Sequence, residues 1–179
     1  MDRDGPARVK RGRLVAIDGI DLRGVRTAAR DVIRAIGAPR AGVSFWDASG
    51  VFHELTLVRG TASPRTLLVL YAADLAFRVR WEIAPALAEG RTVVAAPYVA
   101  TAMALGRAVG LPAPWLANLL RFAPRPTEAR IVESDRTTLT RASGFVSVAC
   151  ERWAEPAGLD ADALTLEIAR HLRPRRARR

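Results

Sequence analysis

The stretch from Leu14 to Thr27 constrains the fold more than any other part of the chain. It reads LVAIDGIDLRGVRT, a short apolar run followed by Gly19, Gly24 and the start of a helical pattern. A strand, a glycine-containing loop and a helix in this order aim backbone N–H groups and a helix N-terminus at the phosphates of a nucleotide. The stretch therefore predicts a phosphate loop between the first strand and the first helix.

The side chains that such a loop needs are absent. A complete phosphate loop reads GxxxxGK[ST], where Lys contacts the β- and γ-phosphates and the Ser or Thr hydroxyl holds Mg²⁺. Counted from Gly19, Val25 stands at the lysine position and Arg26 at the hydroxyl position, and the only lysine of the chain is Lys10. This predicts that phosphotransfer is lost. One extra residue in the loop would instead put Arg26 and Thr27 at the two positions, and that alternative stays open.

Composition bounds the class of protein. The chain has 179 residues, half of them apolar, which predicts one domain with a full core. No apolar run reaches about 18 residues and the N-terminal stretch resembles no signal peptide, so we expect a cytoplasmic protein without a transmembrane segment. The single cysteine, Cys150, and the two histidines, His53 and His171, predict neither an internal disulfide nor a bound metal.

The net charge of +10 is concentrated at the two ends of the chain. Residues 1–12 form a basic tail, residues 13–172 the predicted domain, and residues 173–179 a second basic tail. Such tails attract nucleic acid or anionic membrane surfaces without base specificity, but the composition of a GC-rich genome would also produce an excess of arginine without any function. The candidate contacts in the second tail are Arg173, Arg175, Arg176, Arg178 and Arg179.

Hydrophobic periodicity predicts strands that alternate with helices, which implies a mostly parallel sheet covered on both faces. Strands are predicted at residues 14–18, 42–46, 92–95 and 129–133. Helices are predicted from Val25 to Ile36 and at residues 52–58, 65–89, 99–109, 114–122, 145–154 and 161–172. Gly90 is the expected C-terminal cap of the long helix and Asp160 the expected N-cap of the last one.

With these elements in place, four segments resemble the thymidylate kinase family in the family's own order. They read AIDGIDLRGVRT, LLVLYAADLAFRVRWEIAPALAEGRTVVAAPYV, LPAPWLANLLRFAPRP and LDADAL. The resemblance implies a three-layer α/β P-loop NTPase fold whose parallel five-stranded sheet carries helices on both faces. It also implies a homodimer formed through helices and, in active members, transfer of phosphate from ATP to dTMP with Mg²⁺.

The resemblance also implies two remnants of a substrate site. The nucleotide-binding remnant consists of Gly19, Asp21, Arg23, Gly24, Arg26 and Thr27. The monophosphate-pocket remnant consists of Asp47, Tyr71, Asp74 and Tyr98. Two roles stay open for Asp21, a contact to a sugar hydroxyl or a turn residue, and two for Tyr98, lining a base pocket or packing on the core.

Several positions depart from the family pattern. Ala96 and Pro97 replace the Asp and Arg of the Asp-Arg-Tyr motif, Leu75 replaces a helix Arg that contacts the monophosphate, and Trp46 and Asp47 replace an Arg-Glu pair. The lid is shortened to residues 136–144. Because phosphoryl transfer depends on positioning and charge neutralisation, these losses predict little activity.

Three hypotheses follow. The first is a catalytically inactive or strongly impaired thymidylate kinase-like protein, kept for an interaction, structural or regulatory role, to which no catalytic residue and no cofactor is assigned. The second is a divergent nucleotide kinase that uses ATP and Mg²⁺ through Arg26 and Thr27. The third is a binder of nucleic acid or anionic surfaces through the arginine-rich ends.

Overall fold

The computed structural model describes residues 12–37, 41–45, 63–133 and 160–172. These residues form one parallel sheet of four strands in the spatial order β2-β3-β1-β4. The strands are β1 (Arg13–Gly19), β2 (Ala41–Phe45), β3 (Thr92–Ala96) and β4 (Glu128–Val132). All four strands predicted from the sequence are therefore present, with bounds shifted by one residue at most ends.

The helices of the same ranges also follow the predicted order. They are α1 (Leu22–Ile36), α2 (Pro64–Arg78), α3 (Ala84–Ala88), α4 (Val99–Ala108), α5 (Ala113–Leu119) and α6 (Ala161–Leu172). The N-cap predicted for α6 is confirmed, since Asp160 Oδ1 accepts the N–H of Ala163 at 2.7 Å. Among the residues that the structure describes, no helix is long and apolar enough to cross a bilayer.

Strand β1 lies at the centre of the sheet and divides the core into two layers. Its register places Leu14 beside Val93 of β3, and Ala16 beside Ala129 of β4. Alternate β1 side chains face opposite sides of a sheet. One face packs on α1 through Val15, Ile17, Val25, Ala29, Val32, Val94 and Ala96. The other face packs on the remaining helices through a larger cluster that includes Leu14, Ala16, Leu68, Leu75, Leu105, Leu116 and Ile168.

The long helix predicted at residues 65–89 has an interruption. Between α2 and α3 lies a π-helical turn, Val79–Ile83, closed by the N–H of Ala84 donating to the carbonyl of Val79. Pro85 explains it, because a proline ring in a regular helix clashes with the carbonyl four residues earlier, and a wider turn relieves that contact. Gly90, with φ of 73°, ends the segment as predicted.

This architecture confirms the predicted fold class, helices on both faces of a parallel sheet. The described ranges hold four of the five strands that the family resemblance implies. Several predictions concern residues outside those ranges, namely the two basic tails, the helices at 52–58 and 145–154, the shortened lid at 136–144, Trp46, Asp47 and Cys150.

Candidate functional site

The turn between β1 and α1 is shorter than a loop that wraps a nucleotide's phosphates. Strand β1 ends at Gly19, Asp21 is the N-cap, and α1 begins at Leu22. Only Ile20 and Asp21 separate the two elements, and Ile20 is buried in the core. The predicted strand, turn and helix are therefore present, and the turn is short and packs against the sheet.

The carboxylate of Asp21 occupies the N-terminus of α1. Its Oδ1 accepts the N–H of Arg23 at 3.0 Å, and its Oδ2 accepts the N–H of Gly24 at 3.0 Å. The first N–H groups of a helix have no partner within the helix, and they form the natural binding site for an anion. In this chain an internal carboxylate fills that position, so the two amides point at Asp21.

Close packing explains both glycines of the turn. A Cβ on Gly19 would lie 2.9 Å from Val25 Cγ2 and 3.1 Å from Val132 Cβ. A Cβ on Gly24 would lie 2.9 Å from Asp21 Oδ2 and 3.1 Å from Val132 Cγ1. Any larger residue would push α1 away from the sheet. The glycine spacing of a phosphate loop is thus used here for contact between α1, β1 and β4.

The remaining residues of the nucleotide-binding remnant do not converge on one point. Val25, at the family's lysine position, is buried between α1 and the sheet. Arg23, Arg26 and Thr27 are exposed on α1. An aliphatic group therefore lies where a cation would neutralise phosphate charge.

A second polar centre lies where β1 and β3 end. Asp18, at the end of β1, is buried, and its Oδ1 accepts the N–H of Tyr98 at 2.8 Å and the N–H of Thr101 at 2.9 Å. The Thr101 hydroxyl donates to the same oxygen at 2.7 Å, and the N–H of Ala100 donates to Oδ2 at 3.3 Å. Because Tyr98 is the N-cap of α4 and its side chain does not cap the helix, Asp18 from a different element caps it instead.

Burial and hydrogen bonding act on the Asp18 carboxyl in opposite directions. Desolvation raises its pKa above the ordinary value, and the donors from Thr101, Tyr98 and Ala100 partly offset that rise. Gly19 extends the network, since its N–H donates to the Thr101 hydroxyl at 3.2 Å. These hydrogen bonds connect the end of β1 to the start of α4.

The two tyrosines of the monophosphate-pocket remnant stand in the same network. The Tyr71 hydroxyl donates to the carbonyl of Tyr98 at 2.7 Å, and the Tyr98 hydroxyl donates to the carbonyl of Pro124 at 2.8 Å. Burial is the main cause that raises both pKa values, that of Tyr98 to about 12, and the nearby Asp18 charge adds to the effect. Tyr98 is buried within the larger core cluster, and its role in a base pocket stays a prediction.

Arg78 is the residue of this centre that sequence reasoning missed. A charged side chain is expected at the exposed surface of a helix, yet only 3% of Arg78 is exposed. Its Nε donates to Asp74 Oδ2 at 3.0 Å, and its Nη1 lies 3.4 Å from both the carbonyl and the hydroxyl oxygen of Ser44. Its Nη2 is buried with no hydrogen-bond partner in the part of the chain described here.

A signal for Arg78 exists in the sequence. It follows Asp74 by four residues and Tyr71 by seven, the spacing at which residues share one helix face. Leu75, at the family's arginine position, lies fully buried in the core. A buried cation is thus present one helical turn after the position where the family resemblance implies one. The structure brings together Tyr71, Asp74 and Tyr98, while Asp47 lies outside the described ranges.

These residues do not fit ATP and Mg²⁺. The N-terminal amides of α1 already bind Asp21, and Val25 supplies no charge. Across the ranges that the structure covers, no three His, Cys, Asp or Glu residues are grouped as metal ligands. The arrangement does cap two helices and bury one arginine at the carboxyl ends of β1, β2 and β3.

Comparison with known proteins supports the family seen in the sequence segments, although no protein-family model matches the chain. A probable thymidylate kinase of Pyrobaculum calidifontis is 32% identical over 125 residues, 68% of this chain and 64% of that protein. A thymidylate kinase of Xanthomonas oryzae pv. oryzae is 38% identical over 122 residues, 64% of this chain and 53% of that protein. The chain thus spans less than two thirds of the length of these curated relatives.

The fold has a matching solved structure. The crystal structure of thymidylate kinase from Ehrlichia chaffeensis superposes with a TM-score of 0.58 at 14% sequence identity, covering 73% of this chain and 81% of that one. At this identity the likeness concerns the fold alone, and the curated relatives supply the sequence relationship. Together, these findings show that the chain belongs to the thymidylate kinase family.

Proposed function

We propose that this chain is a cytoplasmic thymidylate kinase-like protein that does not transfer phosphate from ATP and whose fold is kept for an interaction or regulatory role. The observation that carries the proposal is Val25, an aliphatic residue that is buried between α1 and the sheet at the position of the phosphate-loop lysine. The carboxylate of Asp21 also occupies two N–H groups at the N-terminus of α1, those of Arg23 and Gly24.

The capping carboxylate opposes a triphosphate in two ways. It satisfies the two donors, and its negative charge is stabilised by the helix dipole at the point where phosphate oxygens would otherwise be stabilised. A nucleotide would have to displace Asp21 and then remain beside its charge. Like charges at such a distance repel, so this geometry disfavours ATP.

The catalytic side chains are missing as well. A single contact that stabilises transition-state charge is worth about 10²- to 10³-fold in rate. The buried Val25 stands in place of the loop lysine, and Ala96 and Pro97, both buried, stand in place of the Asp and Arg after β3. Because several such contacts are absent together, we expect no measurable turnover.

An exposed apolar stripe, named the α2 stripe, runs along α2 into the π-helical turn that follows it and supports the interaction role. Val69, Phe77 and Trp81 are 46%, 61% and 63% exposed, and they recur at multiples of four residues on one helix face. The rings of Phe77 and Trp81 lie 6.4 Å apart, and the Arg80 guanidinium lies 5.4 Å from the Trp81 ring. Aromatic residues with arginine are enriched in protein interfaces. We propose a second copy of this chain as the partner at this stripe.

The test is a coupled assay with ATP, Mg²⁺ and dTMP, in which an active thymidylate kinase serves as the positive control. We expect turnover at the level of the no-enzyme blank, and clear turnover would reject the proposal.

A thermal shift measurement tests nucleotide binding separately, because a ligand that binds the folded state raises the melting temperature. We expect ATP with Mg²⁺ to give no shift. A shift that is lost in Arg26→Ala would instead support the kinase that uses Arg26 and Thr27.

A further inference from the structure

A cavity of about 400 Å³ lies beside α4, on the sheet face that α4 covers. Its walls are mainly apolar, and its volume falls within the range of small-molecule sites, roughly 300 to 1,000 Å³. The space exists because small side chains from β1, α4, β4 and the connection between α5 and β4 line it, namely Ala16, Ala100, Ala104, Ala123 and Ala129.

The cavity extends away from the phosphate-loop position. Its inner wall includes Asp18 and Tyr98, which lie where β1 and β3 end. Helix α4 starts there and, as a crossover helix of a parallel sheet, runs back toward the amino ends of the strands. Arg107, in the last turn of α4, and Arg125, shortly before β4, therefore mark the other end. None of residues 19–27 contributes to the lining.

Positive charge is concentrated beside this apolar wall. Arg107 and Arg125 both line the cavity and are exposed, and neither forms an ion pair within the ranges that the structure describes. His171 lines it too, with its Nε2 3.3 Å from a Glu167 carboxylate oxygen. The Asp18 carboxylate at the inner end already accepts four hydrogen bonds. The two arginines are thus the polar groups open to a ligand.

We propose that this cavity binds a free small amphipathic anion, a molecule with an apolar body and one carboxylate or sulfonate group. The apolar body removes alanine and leucine surface from water, and the anionic group pairs with Arg107 and Arg125 in charge-assisted hydrogen bonds. Few polar groups at the edge of a mainly apolar pocket are typical of small-molecule sites. This binding is independent of phosphotransfer and does not rest on the function proposed above.

The probes are anilinonaphthalene sulfonate, which fluoresces when it leaves water, and decanoate with its neutral analogue decanol. We expect the folded protein to bind the sulfonate at one site and decanoate to displace it. Decanol should compete about tenfold more weakly, a loss equivalent to one charge-assisted contact. No binding of either anion, or equal competition by decanol, would overturn the proposal.

Two pairs of variants locate the site. Ala129→Leu adds volume to the cavity wall at an exposed β4 position, whereas Ala88→Leu adds it at an exposed position outside the cavity. We expect Ala129→Leu to weaken sulfonate binding about tenfold and Ala88→Leu to leave it unchanged. Arg107→Gln with Arg125→Gln should weaken the binding of decanoate but not that of decanol. Arg121→Gln is the control, because Arg121 is exposed and does not line the cavity. Equal behaviour of the cavity variants and their controls would contradict the assignment.

Discussion

The carboxylate of Asp21 accepts the backbone N–H of Gly24 at 3.0 Å in the first turn of α1. The contact joins two residues that the family pattern assigns to nucleotide binding, and it uses both for a helix N-cap. The cap also requires that residue 24 has no side chain, because a Cβ on Gly24 would lie 2.9 Å from Asp21 Oδ2. The cap and the glycine thus depend on each other, and Asp21 satisfies two N–H groups of the turn.

Replacement of the cap should open an anion site. We expect Asp21→Ala to lower the free energy of unfolding by about 1 kcal/mol, the usual cost of losing an N-cap side chain. Because the N–H groups of Arg23 and Gly24 become free, millimolar inorganic phosphate should then stabilise the variant more than the parent chain. Urea denaturation with and without phosphate measures both effects.

The control for this experiment is Asp31→Ala, on the same helix, where the carboxylate forms only an exposed ion pair with Arg34. Exposed pairs contribute between about 0 and 1 kcal/mol, and Asp31 lies away from the helix N-terminus. We expect no new response to phosphate from it. If Asp21→Ala responds to phosphate no more than Asp31→Ala does, the N-terminal amides of α1 are not an anion site.

Asp18 should be the most costly carboxylate to remove. Asp18→Ala leaves the N–H groups of Tyr98, Ala100 and Thr101 without their acceptor at the start of α4. A buried donor without a partner costs about 1 to 3 kcal/mol, so we expect a loss of at least about 3 kcal/mol in the free energy of unfolding. Denaturant titration measures it. A loss below about 1 kcal/mol would mean that Asp18 does not cap α4.

Much of the fold could be predicted from the sequence because hydrophobic periodicity reports directly on burial. Strand β3 is a β-branched run that lies between Gly90 and Pro97, and its predicted bounds agree with the structure within one residue. Helix α6 begins after Asp160, a residue type that caps helices well, and its predicted bounds agree as closely. The π-helical turn was not predicted. Pro85 marks the position, but the proline does not say whether a helix kinks, ends or widens.

The site was harder to predict because its contacts cross between elements. Asp18 ends an apolar strand, but its partners at Tyr98 and Thr101 are more than 70 residues away in the chain. Arg78 carries a full charge, which favours an exposed position, and its spacing from Tyr71 and Leu75 alone does not place it in the core. Tertiary packing decided both cases, as it does for buried polar groups in general.

Alkaline pH should reveal the burial of both tyrosines. An unfolded tyrosine has a pKa near 10, whereas burial raises the pKa of Tyr71 strongly and that of Tyr98 to about 12. Protons are therefore held more tightly in the folded state, so this stabilisation is present below pH 10 and is lost as pH rises toward 12. The free energy of unfolding should fall by up to about 1.4 kcal/mol per pH unit for each tyrosine.

The measurement is direct because the chain has only two tyrosines. Between pH 10 and about 12, tyrosinate absorbance should appear together with unfolding and not before it. Tyr98→Phe removes one titrating group and should halve the slope of stability against pH, at the cost of the hydrogen bond to Pro124. Tyrosinate absorbance from both residues near pH 10 while the chain remains folded would contradict their burial.

The apolar stripe of α2 should control self-association. Phe77→Ser with Trp81→Ser removes the two most exposed aromatic side chains of the described ranges, and we expect it to convert a dimer into a monomer. Both side chains lie largely in solvent in the isolated chain, so the folded monomer loses little from their replacement. Light scattering after size-exclusion chromatography measures the mass across a range of concentrations.

Leu166→Ser is the matched control, because Leu166 is 49% exposed on α6 and does not belong to the α2 stripe. It reduces exposed apolar surface in the same way, and its mass should equal that of the parent chain. A monomeric parent chain at high concentration would reject the second copy as the partner. If Leu166→Ser dissociates the dimer as readily as the double variant, general apolar exposure and not the α2 face holds the two copies together.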